Sequence, residues 1–372
     1  MSGTRLNWQG PVSTCFLVAV LDLTNSSVLV TGGAGFIGCA LSQVLATRSG
    51  RYVVVDVLHR QVHGSSARPQ RLHDGAELVV ADVSSSSPWL ADLRPDVVVH
   101  LAAETGTAQS LGEATRHANV NVVGTTRLLD QLGEVGHLPR LVVVCSSRAV
   151  YGEGRWLGPD GSPYYPGQRT HGQLLRQVWD FPESSPLPSN CEETMALPTS
   201  VYGATKLAQE HLLAAWCGAH DVSLRILRLQ NVFGPGQSLI NSYTGIVSLF
   251  SQLARDGKPI PLYEDGLITR DFVYIDDVVS AIVAAIGSDA SGVLRADVGS
   301  GAPTTLAELA STVADLRHAP APEVNGMFRD GDVRYAACSI ARTTELLGWR
   351  PTIDLRGGLM RLQDWIDTES PA

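Results

Sequence analysis

Residues 28–38 read Val-Leu-Val-Thr-Gly-Gly-Ala-Gly-Phe-Ile-Gly. A short β-branched run passes directly into glycines. From Phe36 the apolar residues Phe36, Ile37, Ala40, Leu41, Val44 and Leu45 fall at helical spacing on one face. The glycines at 33, 35 and 38 satisfy GxGxxG, and from Thr31 the same stretch reads TGxxGxxG. Glycine is required where a backbone turns sharply, approaches a pyrophosphate, and lets helix and strand pack closely. The helix that follows offers free N–H groups and a positive dipole end to a phosphate. A strand before the glycines and a helix after them are the context that separates a dinucleotide-binding turn from a chance match.

Working outward, a second buried strand is predicted over 52–56 and ends on Asp56. A carboxylate about 20 residues past the glycines suits the diol of an adenosine ribose. It also repels a 2′-phosphate, so NAD is expected over NADP, although Arg60 nearby keeps NADP open. Asp82, after the apolar run 78–80, is placed to meet the adenine. Further apolar runs lie at 97–101, 141–145 and 224–229, with helical patterns between most of them, as at 119–132 and 201–216. Short apolar strands alternating with amphipathic helices predict an α/β fold, a Rossmann-type doubly wound parallel sheet with right-handed crossovers.

The rhythm breaks at 152–198, a stretch rich in Pro, Gly and Ser that reads as a long excursion over the active-site face. After Pro235 the pattern mixes a helix (244–256), a short strand (271–275) and a loop-rich tail. The expected organisation is an extension over 1–26, a dinucleotide-binding domain over 27–234, and a smaller α/β substrate-binding lobe over 235–372, partly interleaved with the first. The lobe should cover the carboxyl ends of the strands, where open α/β sheets bind ligands.

Composition narrows the partners. The 372 residues carry a formal charge of −9, which argues against binding nucleic acid or an anionic membrane. Six cysteines are scattered without CxxC or metal-ligand spacing, so reduced thiols, no metal and a reducing cytoplasm are expected. The apolar stretch 15–21 is too short to span a bilayer and lacks the flanks of a signal peptide.

Tyr202 and Lys206 stand four apart in a helical stretch, so both side chains emerge on one face. A free tyrosine, with a pKa of about 10, is a poor base at neutral pH, and a neighbouring ammonium is expected to lower it. Ser146-Ser147 closes the strand at 141–145, where a hydroxyl faces the cleft and can share a substrate's hydrogen bond. Each feature alone is common. The three in this order are not.

At this point the sequence resembles the extended short-chain dehydrogenase/reductase family, and within it the nucleotide-sugar 4-epimerase branch. The likeness runs from Val28 to Pro351 through TGGAGFIG (31–38), HLAAETG (100–106), NVNVVGT (119–125), SSRAVYG (146–152), YGATK (202–206), RLQNVFGPGQ (228–237), RDFVYIDDV (270–278), DVGSG (297–301), GDVR (331–334) and LGWRP (347–351). The resemblance implies a catalytic set of Ser147, Tyr202 and Lys206. It implies NAD held by Gly32, Gly35, Phe36, Ile37, Gly38, Asp56, Asp82, Val83, Leu101, Ala102, Ala103 and Asn121, together with Tyr202 and Lys206. It further implies a dTDP- or UDP-hexose held by Glu104, Ser147, Arg148, Asn231, Gln237, Arg270 and Arg329, the last two neutralising the diphosphate.

One stretch discriminates among reactions. The family's 4,6-dehydratases carry an Asp–Glu pair after the hydroxyl residue, and its decarboxylases a Glu; here Arg148 and Ala149 stand there. Loss of that acid/base group leaves the minimal set for reversible hydride transfer through a transient 4-keto sugar on tightly bound NAD. The likeness over 146–154 and 228–245 is strongest to dTDP-hexose 4-epimerases, with Arg148 and Gln230 as departures beside the sugar pocket. A ketoreductase or dehydrogenase, a 3,5-type epimerase and a non-catalytic NAD-binding sensor remain as alternatives. The resemblance also implies a homodimer packed through 119–132 and 201–216.

Overall fold

The structure, a computed structural model, describes residues 21–85, 88–238 and 245–369. Most of the expected extension, with Cys15, lies outside these residues. Seven parallel strands form the central sheet: β1 (Leu23–Thr31), β2 (Ser49–Asp56), β3 (Glu77–Val80), β4 (Val97–His100), β5 (Leu141–Ser147), β6 (Ser223–Leu229) and β7 (Val293–Val298). Their order is β7-β6-β5-β4-β1-β2-β3. The chain thus runs out from β1 to one edge, returns to β4, and builds the other half. This is the doubly wound arrangement, with its crevice between β1 and β4.

The strands are apolar on both faces because helices cover both. Val28 and Val30 face the core shared with the helices Phe36–Leu45 and Ile275–Ile286. Leu29 between them faces the core built with Gly124–Glu134 and Val201–Ala219. Alternation along a strand sends successive side chains to opposite faces, and here both faces are dry.

The structure sharpens three expectations. First, β1 begins at Leu23, inside the expected extension, and pairs with Ser49; Leu23 is 1% exposed, so the sheet reaches further toward the N-terminus than the β-branched run. Second, the interleaving beyond Pro235 is extensive. β7 and the helix Ile275–Ile286 lie beyond it yet complete the central sheet and its cover. Third, the excursion is folded. Trp156–Leu157, Pro163–Tyr164 and Ser185–Pro186 form a small antiparallel sheet, followed by a parallel bridge from Ser189 to Cys338.

The excursion is pinned by buried charge. Arg169 donates to Glu264 Oε2 (2.7 Å) and to the carbonyls of Trp179 and Asp332. Arg334 reaches Glu264, Asp265 and Asp180, and its N–H donates to Glu153 Oε2 at 2.9 Å. Charges so enclosed persist only when paired and hydrogen-bonded.

The smaller lobe packs its own core of Phe233, Phe250, Phe272, Tyr274, Leu309, Leu359 and Ile366. Thr269–Tyr274 is its central strand. It runs parallel to Asn231–Phe233 and to Tyr335–Ala336, and antiparallel to Pro303–Thr305.

Candidate active site

The first cleft opens at the crevice between β1 and β4. Its lining includes Gly32, Gly35, Phe36, Ile37, Gly38, Asp56, Asp82, Val83, Leu101, Ala102 and Ala103, and its empty volume, mouth included, is about 1200 Å³. Backbone dictates its shape. Gly32 has φ +65°, and a Cβ there would sit 2.6 Å from Ala102 N; a Cβ on Gly38 would sit 2.4 Å from the Cα of Gly33. These glycines are therefore a cradle that side chains would fill, which fits the pyrophosphate of a dinucleotide. Asp56 ends β2. Its Oδ2 accepts from Ala34 N (3.1 Å) and its Oδ1 from Leu58 N (2.9 Å), which fixes the carboxylate beside the glycine turn.

Asn121 behaves differently from the expectation that it holds the cofactor. It is fully buried and does not line the cleft. It sits in a single π-helical turn, Asn119–Val123. Its amide donates to Thr205 Oγ1 (2.9 Å) and to Glu104 O (3.0 Å), and its Oδ1 accepts from Glu104 N (2.8 Å). It ties the loop after β4 to the helix Val201–Ala219 and so positions both. A π turn at such a point is a frequent companion of function.

The second cleft adjoins the first and has an empty volume of about 720 Å³. Ser147, Arg148, Tyr202, Asn231 and Gln237 line it, with Ala149, Gln230, Val232, Ile246, Val247 and Phe272. The register explains the meeting. Ser147 pairs with Leu229 across β5 and β6, which brings Arg148, directly after β5, near Asn231, two residues past the end of β6. Arg148 Nε donates to Asn231 Oδ1 at 3.1 Å. Gln237 lines both clefts and is held by Ser248 Oγ, which donates to its Oε1 (3.0 Å).

Tyr202 and Ser147 are hydrogen-bonded. Burial raises the Tyr202 phenol, while the Ser147 bond and the Arg148 charge lower it. Lys206 does not take the expected place beside the phenol. Its Nζ donates to Gln209 Oε1, and Gln209 Nε2 continues to Thr125 Oγ1 (2.8 Å) and the His100 ring (3.2 Å). Burial lowers Lys206 to about 8 and His100 to about 3. Beneath the site, Ser146 Oγ donates to Glu210 Oε1 (2.5 Å), and Arg228 closes a buried ion pair with that carboxylate.

Three residues expected on the sugar lie elsewhere. Glu104 lines the first cleft and pairs with Arg116 at 2.9 Å. Arg270 is buried and bridged to Asp332 at 2.6 Å, outside the lining of either cleft. Arg329 is exposed, its guanidinium 4.9 Å from the centre of the Tyr263 ring. Conversely, His63, Thr105 and Val120 on the first cleft and Thr107 on the second were missed. Thr105 and Thr107 lie on the loop that follows β4, beyond the reach of the strand-end placement that found Ser147.

A profile of the NAD dependent epimerase/dehydratase family matches residues 28–296. The chain is 56% identical to a dTDP-L-rhamnose 4-epimerase of Burkholderia thailandensis, over 92% of this chain and 95% of that one. Among solved structures it is similar to a UDP-glucose 4-epimerase of Thermotoga maritima determined with UDP-glucose (TM-score 0.76, 26% identity, 92% and 99% covered). A UDP-glucose 4-epimerase of Thermus thermophilus in complex with NAD is also similar (TM-score 0.72, 28% identity, 91% and 98% covered). With the glycine cradle, Asp56 and the Ser147–Tyr202 pair at one crevice, the chain belongs to the NAD dependent epimerase/dehydratase family.

Proposed function

We propose that this chain, an NAD-dependent 4-epimerase of nucleotide sugars, turns over dTDP-L-rhamnose at C4. One observation carries the choice of reaction. Among the described residues that line the sugar cleft there is no Asp, Glu, His or Cys. Tyr202 is the one group there suited to exchange a proton at neutral pH. Elimination of water and abstraction of a carbon-bound proton both need a second acid/base group, and Ala149 stands where the family's other reactions place one. The apolar part of the wall, Val232, Ile246, Val247 and Phe272, suits the methyl group of a 6-deoxy sugar.

The chain's own residues act as follows. The glycine turn and Asp56 hold the dinucleotide, which when bound supplies the hydride acceptor and donor. Tyr202, sharing a hydrogen bond with Ser147, takes the proton of the sugar 4-hydroxyl as the 4-keto sugar forms and returns it after the sugar has presented its other face. Asn231 and Gln237 hold the sugar nucleotide during that turn. Lys206, with Gln209 and His100, holds the floor beneath the nicotinamide end. Ser147 and Tyr202 act on the sugar, Lys206 supports them from the buried network behind the site, and the lining residues of the first cleft are the NAD-binding set.

Two copies pair through the outer faces of Gly124–Glu134 and Val201–Ala219 as a homodimer; a monomer in solution scattering refutes this. The enzyme works in the cytoplasm. The five described cysteines are all unpaired, which supports a reducing compartment, and no described helix is long and apolar enough to cross a membrane. The substrate is tested by incubating the purified protein with a panel of dTDP- and UDP-hexoses. Turnover of dTDP-L-rhamnose to its C4 epimer well above any UDP-hexose is expected. Preference for a UDP-hexose overturns the assignment.

A further inference from the structure

The spacing of Tyr202 and Lys206 suggests that the ammonium serves the phenol, but the side chains part company. Lys206 Nζ is engaged by Gln209, in a buried chain that runs through His100 to Thr31 Oγ1 (2.6 Å). The cation that shares the cleft wall with Tyr202 is Arg148. It opens a 3₁₀ turn, Arg148–Tyr151, which Ser147 caps by accepting from Ala149 N at 3.1 Å. Its Nε donates to Asn231, and among the described residues its two Nη groups make no hydrogen bond. One short segment therefore delivers both the hydroxyl that bonds Tyr202 and a guanidinium locked to face the same space.

We infer that Arg148 is a positioning residue for the proton transfer: its guanidinium supplies a further positive charge that favours the Tyr202 phenolate and so shifts the pH at which epimerisation begins. This rests on the reading of Tyr202 as proton acceptor. The neighbours of both groups are accounted for. Tyr202 is faced by Ser147 and Cys145 of β5, by Arg148, and by the His117 ring, edge-on at 6.5 Å from the helix Ala114–Ala118. Lys206 and Glu210 lie on its own helix. Of these, Ser147 and Arg148 favour the phenolate, and Cys145 opposes it. Burial lowers Arg148 to about 9, Arg270 adds to that lowering, and Asp332, Tyr202 and Glu153 favour its charge. Arg148 therefore still carries its charge at neutral pH and throughout the acid limb of the rate.

The experiment compares kcat/KM against pH for the NAD-loaded wild type, Arg148→Lys and Arg148→Met. A phenolate base gives a rate that rises with pH on the acid side. A cation on the wall of the same cleft favours a phenolate, and such neighbours move a pKa by about one unit. Arg148→Met is therefore expected to move the acid limb up by about one pH unit. It should lose about tenfold at the foot of the limb and recover most of that loss at high pH. Arg148→Lys should move it by less than half as much. An acid limb that stays in place while KM rises overturns the proposal, because Arg148 then only binds sugar. Equal displacement in both variants overturns it too. Retained NAD and an unchanged melting temperature certify the fold, and Arg148→Gln reads the same limb if the methionine variant does not fold. Tyr202→Phe separates the two readings. If it keeps activity, the proton-acceptor reading fails; if it is inactive at every pH and the limb still does not move, only the role of Arg148 fails.

Discussion

The two ends of the active-site crevice are built by different means. The dinucleotide end is backbone: glycines within eight consecutive positions, 31–38, and a strand-end carboxylate fixed by two main-chain N–H groups. The sugar end is side chains drawn from separate segments, with Arg148 after β5, Asn231 after β6 and Tyr202 from the helix between them. Behind it stands the Arg169, Glu264 and Arg334 cluster, which joins the excursion to the smaller lobe. A backbone cradle accepts one cofactor shape and leaves little to vary. A wall of side chains can change its substrate by single substitutions while the cradle stays as it is.

That contrast can be broken or sharpened experimentally. Tyr202 lines the sugar end, and Tyr202→Phe removes the proton acceptor. A loss of kcat of about 10³-fold or more is expected, with NAD still bound, read by steady-state rates and cofactor content. Gly38→Ala attacks the cradle. Its Cβ would lie 2.4 Å from Gly33, so overpacking of roughly 1–3 kcal/mol should lower the melting temperature and strip NAD from the purified protein. If the variant keeps NAD, the cradle is not set by backbone. Asn231→Ala attacks the other end. Loss of a hydrogen-bonding partner worth about 1 kcal/mol should raise KM by roughly five- to tenfold and leave NAD content untouched.

The smallest effect concerns Glu153, whose carboxyl burial pushes up to about 7. Between its ordinary pKa and that value the folded protein holds a proton that the unfolded chain has released. Stability from this group therefore falls as pH rises from about 5 to 7. Glu153→Gln should remove that fall, so melting curves of the two proteins converge or cross in this window instead of running parallel.

The same contrast decides what could be read from the sequence. The glycine turn and Asp56 were legible because their chemistry depends on local spacing, and eleven of the fourteen cofactor residues that the resemblance implies line one cleft. Ser147 and Tyr202 were legible through strand-end and helical placement. Lys206 was placed on the correct helix, but four-residue spacing says nothing about Gln209, three residues further on, competing for its ammonium. Arg270 was expected on a diphosphate; its partner Asp332 lies 62 residues away and no local pattern announces it. The strand β7 was missed for a related reason, since a six-residue run gains its identity only from lying against β6.

The most direct test of the central claim, reversible hydride transfer at C4 with no proton removed from carbon, is turnover of dTDP-L-rhamnose in D₂O with the product sugar analysed for deuterium and NADH followed spectroscopically. A C4 epimer free of solvent deuterium, formed without net production or consumption of NADH, is predicted. Deuterium on a sugar carbon, or stoichiometric use of NADH, contradicts it.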